Sequence, residues 1–328
     1  MTDGLRRDPF EALPPAEARS PAEARSPAEA RLGRLFARPR PLAIGAIVVL
    51  AALGWAYLAI MVAEMAETGE AGTLGPGMVL FDRLLNPETR TELGRALLAS
   101  LCQPGMVHFG MPGSGPWGLA DVALVVAMWG AMAFAMMLPT AAPMILTYAE
   151  MADAAAARGE RAASPAVIAS GYVAVWLVAG LALGLGQWGL TAARLLDPAM
   201  TSVSGLFSGA VFLLAGAYQF SDLKYRCVTA CQRPFPFFLA HWAASAGGGF
   251  RLGVRQGLLC LGCCWALMAV MFAVGVMNLV WMAALGVIML IEKVAETTRF
   301  SRAIGVVLLV IGAAIVGSEV WSHWPRAA

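Results

Sequence analysis

The stretch Gly253–Ile291, GVRQGLLCLGCCWALMAVMFAVGVMNLVWMAALGVIMLI, decides the fold class of this chain. It contains one charged residue, Arg255, and it is much longer than the roughly 20 apolar residues that cross a bilayer as a helix. Near its middle, Gly275 to Asn278 supply residues that favour a tight turn. The stretch therefore predicts two membrane helices, Gly253–Val274 and Met277–Ile291, joined by a hairpin.

The rest of the chain has the composition of a polytopic membrane protein. Hydrophobic residues make up 59% of the 328 positions and charged residues 13%, whereas ordinary soluble domains have about 45–50% and about 25%. The expected fold is all-α, a polytopic helical membrane protein with about seven transmembrane helices. The other five expected spans are Leu42–Met61, Leu119–Tyr148, Ala166–Trp188, Leu206–Phe220 and Ile304–Val320.

The distribution of basic residues predicts the orientation. Most of the 23 Lys and Arg residues fall on one side of the seven-span arrangement, and loops rich in these residues stay in the cytoplasm. The N-terminus is therefore predicted to be cytoplasmic and the C-terminus to lie outside, in a bacterial inner membrane. The net charge of +2, without a basic patch, argues against a nucleic-acid partner, so the expected surroundings are the lipid bilayer.

Four segments are expected along the chain. Residues 1–41 carry the repeat PAEARS, which lacks large apolar side chains, and this composition predicts a disordered cytoplasmic tail. Residues 42–63 form the first transmembrane anchor. Residues 64–118 form a periplasmic loop, with a short helix that begins at Asn86-Pro87-Glu88. Residues 119–328 form a six-helix membrane domain that carries the Cys and Met motifs.

Three cysteines in the fifth span are the first candidate metal ligands. Cys260 and Cys264 are four residues apart and share a helix face, which Met268 extends by a turn, and Cys263 lies beside them. Thiolates and thioethers bind soft ions such as Cu(I), Zn(II) and Hg(II). The alternative is that these residues are ordinary apolar packing residues of a buried helix.

A second cysteine pair precedes that span, at the cytoplasmic end of the fourth. Cys227 and Cys231, in DLKYRCVTACQRP, are also four residues apart, and two thiolates at this spacing can chelate one soft ion. The cytoplasm is reducing, so a permanent disulfide is not expected there. A reversible disulfide, and with it a thiol redox function, is the alternative.

Methionines of the second span could supply further soft donors within the membrane. Met128, Met132 and Met136 recur every four residues, which places them on one helix face. Pro139 and Pro143 follow and predict a kink or free carbonyl groups, because proline lacks a backbone donor. Simple packing of the methionines in the core is the alternative interpretation.

Three further candidates lie in the outer loop. Cys102, Met106 and His108 occur within a Gly- and Pro-rich segment. Together these side chains suit the capture of Cu(I), whereas packing of the loop over the helical bundle is the simpler explanation.

Ionisable residues stand at the ends of several spans. Asp121 opens the second, and Glu292 and Lys293 close the sixth. Because charged groups are costly inside a bilayer, the latter two are expected to form a pair at the membrane boundary.

The sequence also resembles a known family through three blocks. These are MWGAMAFAMMLPTAAPMILTY at 128–148, GAYQFSDLKYRCVTACQRP at 216–234 and GLLCLGCCWALMAVMFAVGVMNLVWM at 257–282. The chain is similar, from about Ala120 to Lys293, to a bacterial family of predicted metal-binding integral membrane proteins of unknown function. The resemblance implies that the cysteines and methionines of these blocks belong to a shared signature.

These observations predict a protein that is not an enzyme but binds a soft metal ion and transports or delivers it. Cu(I) is the expected ion, with zinc and mercury as alternatives, and a metallochaperone or a larger membrane complex is the expected partner. A non-catalytic accessory subunit or assembly factor and a transmembrane thiol redox protein are the rival hypotheses. The predicted relay of ligands is Cys102, Met106 and His108 outside, Met132, Met136 and Met268 across the membrane, Cys260, Cys263 and Cys264 within it, and Cys227 and Cys231 at the cytoplasmic end.

Overall fold

Helices are the regular elements of this chain, for which a computed structural model describes residues 39–67, 75–78, 117–197, 201–295 and 297–323. The only extended pairing among these residues is an isolated bridge between Leu196 and Ser202. The predicted all-α fold is therefore confirmed. The PAEARS tail and the helix predicted at Asn86 lie outside the described residues.

The described parts of the chain form a succession of helices. They are α1 (Pro39–Glu67), α2 (Leu119–Met132), a π-helical turn (Ala133–Met137), α3 (Leu138–Ala157), α4 (Pro165–Ala192), α5 (Gly205–Tyr218), α6 (Asp222–Gln232), α7 (Pro234–Ala240), α8 (Ala246–Ala269), α9 (Met271–Val274), α10 (Leu279–Val294) and α11 (Thr298–His323).

Several of these helices can cross a bilayer, as a polytopic membrane protein requires. Within the described residues, five are long and apolar enough, and a sixth is added if α5 and α6, which meet at a bend of 63°, count as one span. The helix expected as the sixth span, α10, has 16 residues and is shorter than the roughly 20 of a typical span. The count of seven and the orientation of the termini remain predictions.

The hairpin predicted within Gly253–Ile291 is present. Gly275 has a φ of 102°, in the left-handed region that glycine adopts without strain. Asn278 then caps α10, because its side chain accepts a hydrogen bond of 3.1 Å from the backbone N–H of Trp281. The Asn278 amide also donates to the carbonyl of Pro76 at 3.0 Å, so part of the loop after α1 lies at this turn.

The proline-containing second span departs from regular helix geometry without breaking. A π-helical turn comes just before Pro139, with Leu138 N–H bonded to the Ala133 carbonyl. Pro139 cannot donate to the carbonyl of Ala135 one turn earlier. The indole of Trp55 on α1 donates to that carbonyl instead, at 3.0 Å, so α1 compensates for the missing donor.

Glycines bring α4 and α8 into close contact. A Cβ atom at Gly253 would overlap the carbonyl oxygen of Ile168, and one at Gly257 would lie 2.9 Å from Cβ of Val175. The two contacts advance along both helices in the same direction, so α4 and α8 run parallel. Membrane helices pack most closely where small residues face each other, and this contact determines the position of the α8 cysteines.

A second glycine-mediated contact joins α5 to α11. A Cβ at Gly209 would lie 3.2 Å from the Gly312 carbonyl oxygen, and one at Gly216 would lie 3.0 Å from the Gly305 carbonyl oxygen. These two helices therefore run antiparallel. The outward face of α11 exposes apolar side chains such as Val310, as expected of a helix that contacts lipid.

We expect the substitution Gly253→Ala to destabilise the folded protein, because the added methyl group would meet backbone atoms that cannot rotate away. The cost should be about 1–3 kcal/mol, as for other overpacked sites. Gly186→Ala on α4 is the control, since no atom lies within 4 Å of its Cβ position. Thermal unfolding in detergent would measure both variants, and equal stability would contradict the close packing of α4 and α8.

Candidate metal centre

The three α8 cysteines form a compact group of sulfur atoms. The Sγ atoms of Cys260, Cys263 and Cys264 all lie within 4.8 Å of one another, and the three residues are buried. The Cys263 thiol contacts the Cys260 carbonyl oxygen at 3.1 Å and the Cys264 sulfur at 3.3 Å. The predicted clustering of these residues is thus present, and three soft donors converge on one point.

The second cysteine motif lies against the first. Ser221 caps the start of α6, because its hydroxyl accepts a hydrogen bond from the Lys224 N–H, and the axis of α6 turns by 63° from that of α5. A Cβ at Gly262 of α8 would lie 2.6 Å from the sulfur of Cys227. The glycine at this position therefore lets α6 approach α8 directly.

Cys231 is the member of the second motif that faces the α8 cysteines. Its thiol interacts with that of Cys263, and it lines one small cavity together with Cys260. The relay predicted from the sequence assigned the two motifs to separate positions. The structure brings them together, so that five free thiols lie around the contact between α6 and α8.

A buried lysine contacts the sulfur of Cys260. The Lys293 ammonium group reaches from α10 and donates to Cys260 Sγ at 2.8 Å and to the Thr140 hydroxyl oxygen at 2.7 Å. Thr140 donates its own proton to the Met137 carbonyl oxygen at 2.8 Å, so its oxygen can only accept from Lys293. The sulfur is thus held next to a cationic donor, which favours the thiolate, the form that binds metals.

Tyr172 of α4 completes this polar group. Its hydroxyl oxygen lies 2.9 Å from Cys260 Sγ and donates to the Met137 carbonyl at 3.0 Å. Met137 is the last residue of the π-helical turn, and such irregular turns occur often at functional sites. Two buried hydroxyl groups therefore converge on one carbonyl, beside the sulfur that Lys293 contacts.

A second buried lysine forms a separate ion pair. The Lys224 ammonium group donates to Glu292 Oε2 and to the Cys263 carbonyl oxygen, each at 2.7 Å, and the side chains of both charged residues are 1% exposed. The predicted boundary pair of Glu292 with Lys293 is therefore wrong. Adjacent helical residues point about 100° apart, so the two serve different partners.

The thiols border a small cavity that other side chains complete. Its volume is about 10 Å³, close to that of one water-sized sphere. Cys231, Cys260 and Lys293 line it, and so does Met144, whose thioether adds a soft donor. The buried side-chain nitrogen of Gln256 also lines it and has no hydrogen-bond partner among the described residues.

Several of these residues were not predicted as parts of the site. Thr140 and Met144 are four residues apart, a spacing that places both on one helix face, and this spacing beside the prolines was the available signal. Tyr172 carries no comparable local signal within its apolar span. Lys293 could be recognised only by its burial, which depends on the packing of α10.

The predicted methionine ligands are core residues of the helical bundle. Met132, Met136 and Met268 are all buried, and the side chain of Met136 packs against α10 at Gly286, where a Cβ would be 3.7 Å from its Cγ. Packing is thus the observed role of Met136, and metal binding by the three methionines remains a prediction. Cys102, Met106 and His108 lie outside the described residues.

The chemistry of this donor set fits a soft metal ion. Thiolates and thioethers select soft ions, whereas hard ions take carboxylate and carbonyl oxygens. One oxygen of the carboxylate next to the site, Glu292 Oε2, is bound to Lys224, and the other, Oε1, has no hydrogen-bond partner among the described residues. The sulfur atoms are the soft donors of this site, and a copper ion carried as cargo would bind to them.

Comparison with known proteins supports a copper-handling function. No curated protein and no solved structure matches the chain. The family model PpoB2, described as a copper chaperone, matches residues 126–315. That range is more than half of the chain and contains both cysteine motifs and Lys293. The chain therefore belongs to the PpoB2 copper chaperone family.

Proposed function

We propose that this protein is a multi-pass chaperone of the bacterial inner membrane that binds Cu(I) and delivers it to a partner. The observation that carries the proposal is the group of three buried α8 thiols, with Sγ atoms within 4.8 Å of one another. Membership of a copper chaperone family supports the choice of ion. Cys260, Cys263 and Cys264 are the proposed primary ligands.

The α6 cysteines are proposed to exchange copper with the primary site. Among the described cysteines, Cys231 is half-buried and the other four are buried. An ion bound near Cys260 could pass to Cys231 by a short ligand exchange, because both residues line the same cavity. Cys227, whose sulfur packs on Gly262, would support the position of α6.

The remaining predicted ligands extend this route to the opposite face of the membrane. We propose that copper is captured or released outside by Cys102, Met106 and His108. The proposed ligands along its path through the protein are the buried methionines Met132, Met136 and Met268. The partner would be a metallochaperone or a larger membrane complex. The hypothesis of an assembly factor then describes the same protein, because delivery of copper is what it would contribute.

The redox hypothesis has less support from the geometry. It requires a disulfide between Cys227 and Cys231, yet the first packs against Gly262 and the second faces Cys263 and the cavity. Both are free thiols in the structure. Metal binding uses these positions as they are, whereas a disulfide would require their side chains to turn toward each other.

We expect purified protein to hold about one copper ion per chain at the α8 site, and the triple variant C260S/C263S/C264S to lose that ion, since serine hydroxyls bind soft ions poorly. Elemental mass spectrometry of protein in detergent, loaded with Cu(I) under reducing conditions, would measure this. Cys102→Ser is the matched control, and it should keep copper bound at the α8 site. A copper content of the triple variant equal to that of the wild type would contradict the proposed ligands.

We also expect Cys231→Ser to slow the release of bound Cu(I) to a soluble chelator, because the exchange ligand is lost. The effect should be about tenfold, the smaller of the changes that supporting groups at metal sites produce. Stopped-flow absorbance of a chromophoric Cu(I) chelator would follow the release. The control Cys227→Ser removes a thiol from the same helix, and equal release rates for the two variants would show that Cys231 has no special role.

A further inference from the structure

We infer that Lys293 is a fixed positive charge that makes the site select monovalent over divalent soft ions. The inference rests on the proposed function, because it concerns the ion that the α8 thiols bind. It assigns a specificity role to a residue that provides no metal ligand. The arguments are the position of its ammonium group, the pairing of the neighbouring charges and the charge of each possible complex.

The position of the charge is set by two contacts. The Lys293 nitrogen lies 2.8 Å from the Cys260 sulfur and 2.7 Å from the Thr140 oxygen, and the residue is 6% exposed. A charge at this depth interacts strongly with an ion on the sulfur, because the surrounding helices screen it much less than water does. An ion bound to Cys260 would therefore lie within a few ångströms of the ammonium group.

No other described charge offsets that of Lys293. Glu292, its neighbour in the chain, binds Lys224 at 2.7 Å, and that pair is neutral. The groups that interact with the lysine are the Thr140 and Tyr172 hydroxyls and the Cys260, Cys263 and Cys264 thiols, and Cys231 lines the same cavity. Tyr172 donates its proton to the Met137 carbonyl, so ionised sulfur is what can balance the ammonium charge.

The charge of the bound complex then depends on the ion. For any given set of thiolates, the complex of a monovalent ion carries one more unit of negative charge than the complex of a divalent ion. The ammonium group of Lys293 therefore attracts the monovalent complex more strongly, because charges interact strongly in a buried site. This difference holds whether two or all three of the α8 thiols bind the ion.

Ag(I) and Hg(II) provide a direct test, because both are soft ions that bind thiolates but differ by one unit of charge. The substitution Lys293→Leu removes the charge and adds no metal-binding group. We expect it to lower the ratio of Ag(I) affinity to Hg(II) affinity by about a hundredfold, a conservative value for unit charges a few ångströms apart in a protein. Competition titrations against a soluble thiol ligand would measure both affinities.

Two further variants separate charge from structure. Lys293→Arg keeps the charge and should keep a preference close to that of the wild type. The double variant K224L/E292L removes a neutral pair from the same region, so it should leave the Ag(I) to Hg(II) ratio unchanged. A Lys293→Leu protein that folds, binds both ions and has the ratio of the wild type would overturn the inference.

The wild-type protein gives a test that needs no variant. Its Ag(I) to Hg(II) affinity ratio should exceed that of free dithiothreitol, a dithiol without a fixed positive charge. An equal or lower ratio would overturn the inference even if Lys293→Leu failed to fold. If the wild type bound neither ion nor Cu(I), the proposed function itself would fail, and this inference with it.

Discussion

The contact between the Lys293 ammonium group and the Cys260 sulfur is the constraint on which the rest of the centre depends. A buried ammonium group must be paired and hydrogen-bonded, and here its partners come from two other helices, Cys260 on α8 and Thr140 on α3. Thr140 and Tyr172 in turn are fixed by the carbonyl of Met137 in the π-helical turn. The Lys293 charge on α10 thus ties together α8, α3, α4 and the π-helical turn, and the sulfur that it contacts borders the cavity.

Those parts of the fold that follow from local patterns could be predicted from the sequence. Apolar runs of sufficient length identify membrane helices, and five of the predicted spans coincide with helices that can cross a bilayer. Gly275 and Asn278 marked the hairpin because turn and capping residues act within a few positions of themselves. The spacing of Cys260 and Cys264 placed them together for the same reason, since helix geometry alone relates them.

The parts that depend on contacts between distant segments could not be predicted in this way. Helix α6 contacts α8 where Gly262 faces Cys227. No sequence pattern in either segment predicts this contact. The prediction that Glu292 would pair with Lys293 used proximity in the chain. The real partners, Lys224 and Cys260, lie 68 and 33 positions away. Which residues form the centre therefore depends on tertiary packing, although the residue types alone indicate that it binds a soft metal.

The hydrogen bond from Trp55 to the Ala135 carbonyl has a consequence for how the protein is assembled during biosynthesis. Helix α1, which is synthesised before α2 and α3, carries the indole that later satisfies a carbonyl which Pro139 leaves without its helical donor. Exchanging α1 for a foreign helix of equal hydropathy would leave that carbonyl without its partner, next to the turn that supports Thr140 and Tyr172. Matching the hydropathy of α1 would then not be enough, because the cysteine centre depends on the identity of this helix as well as on its length.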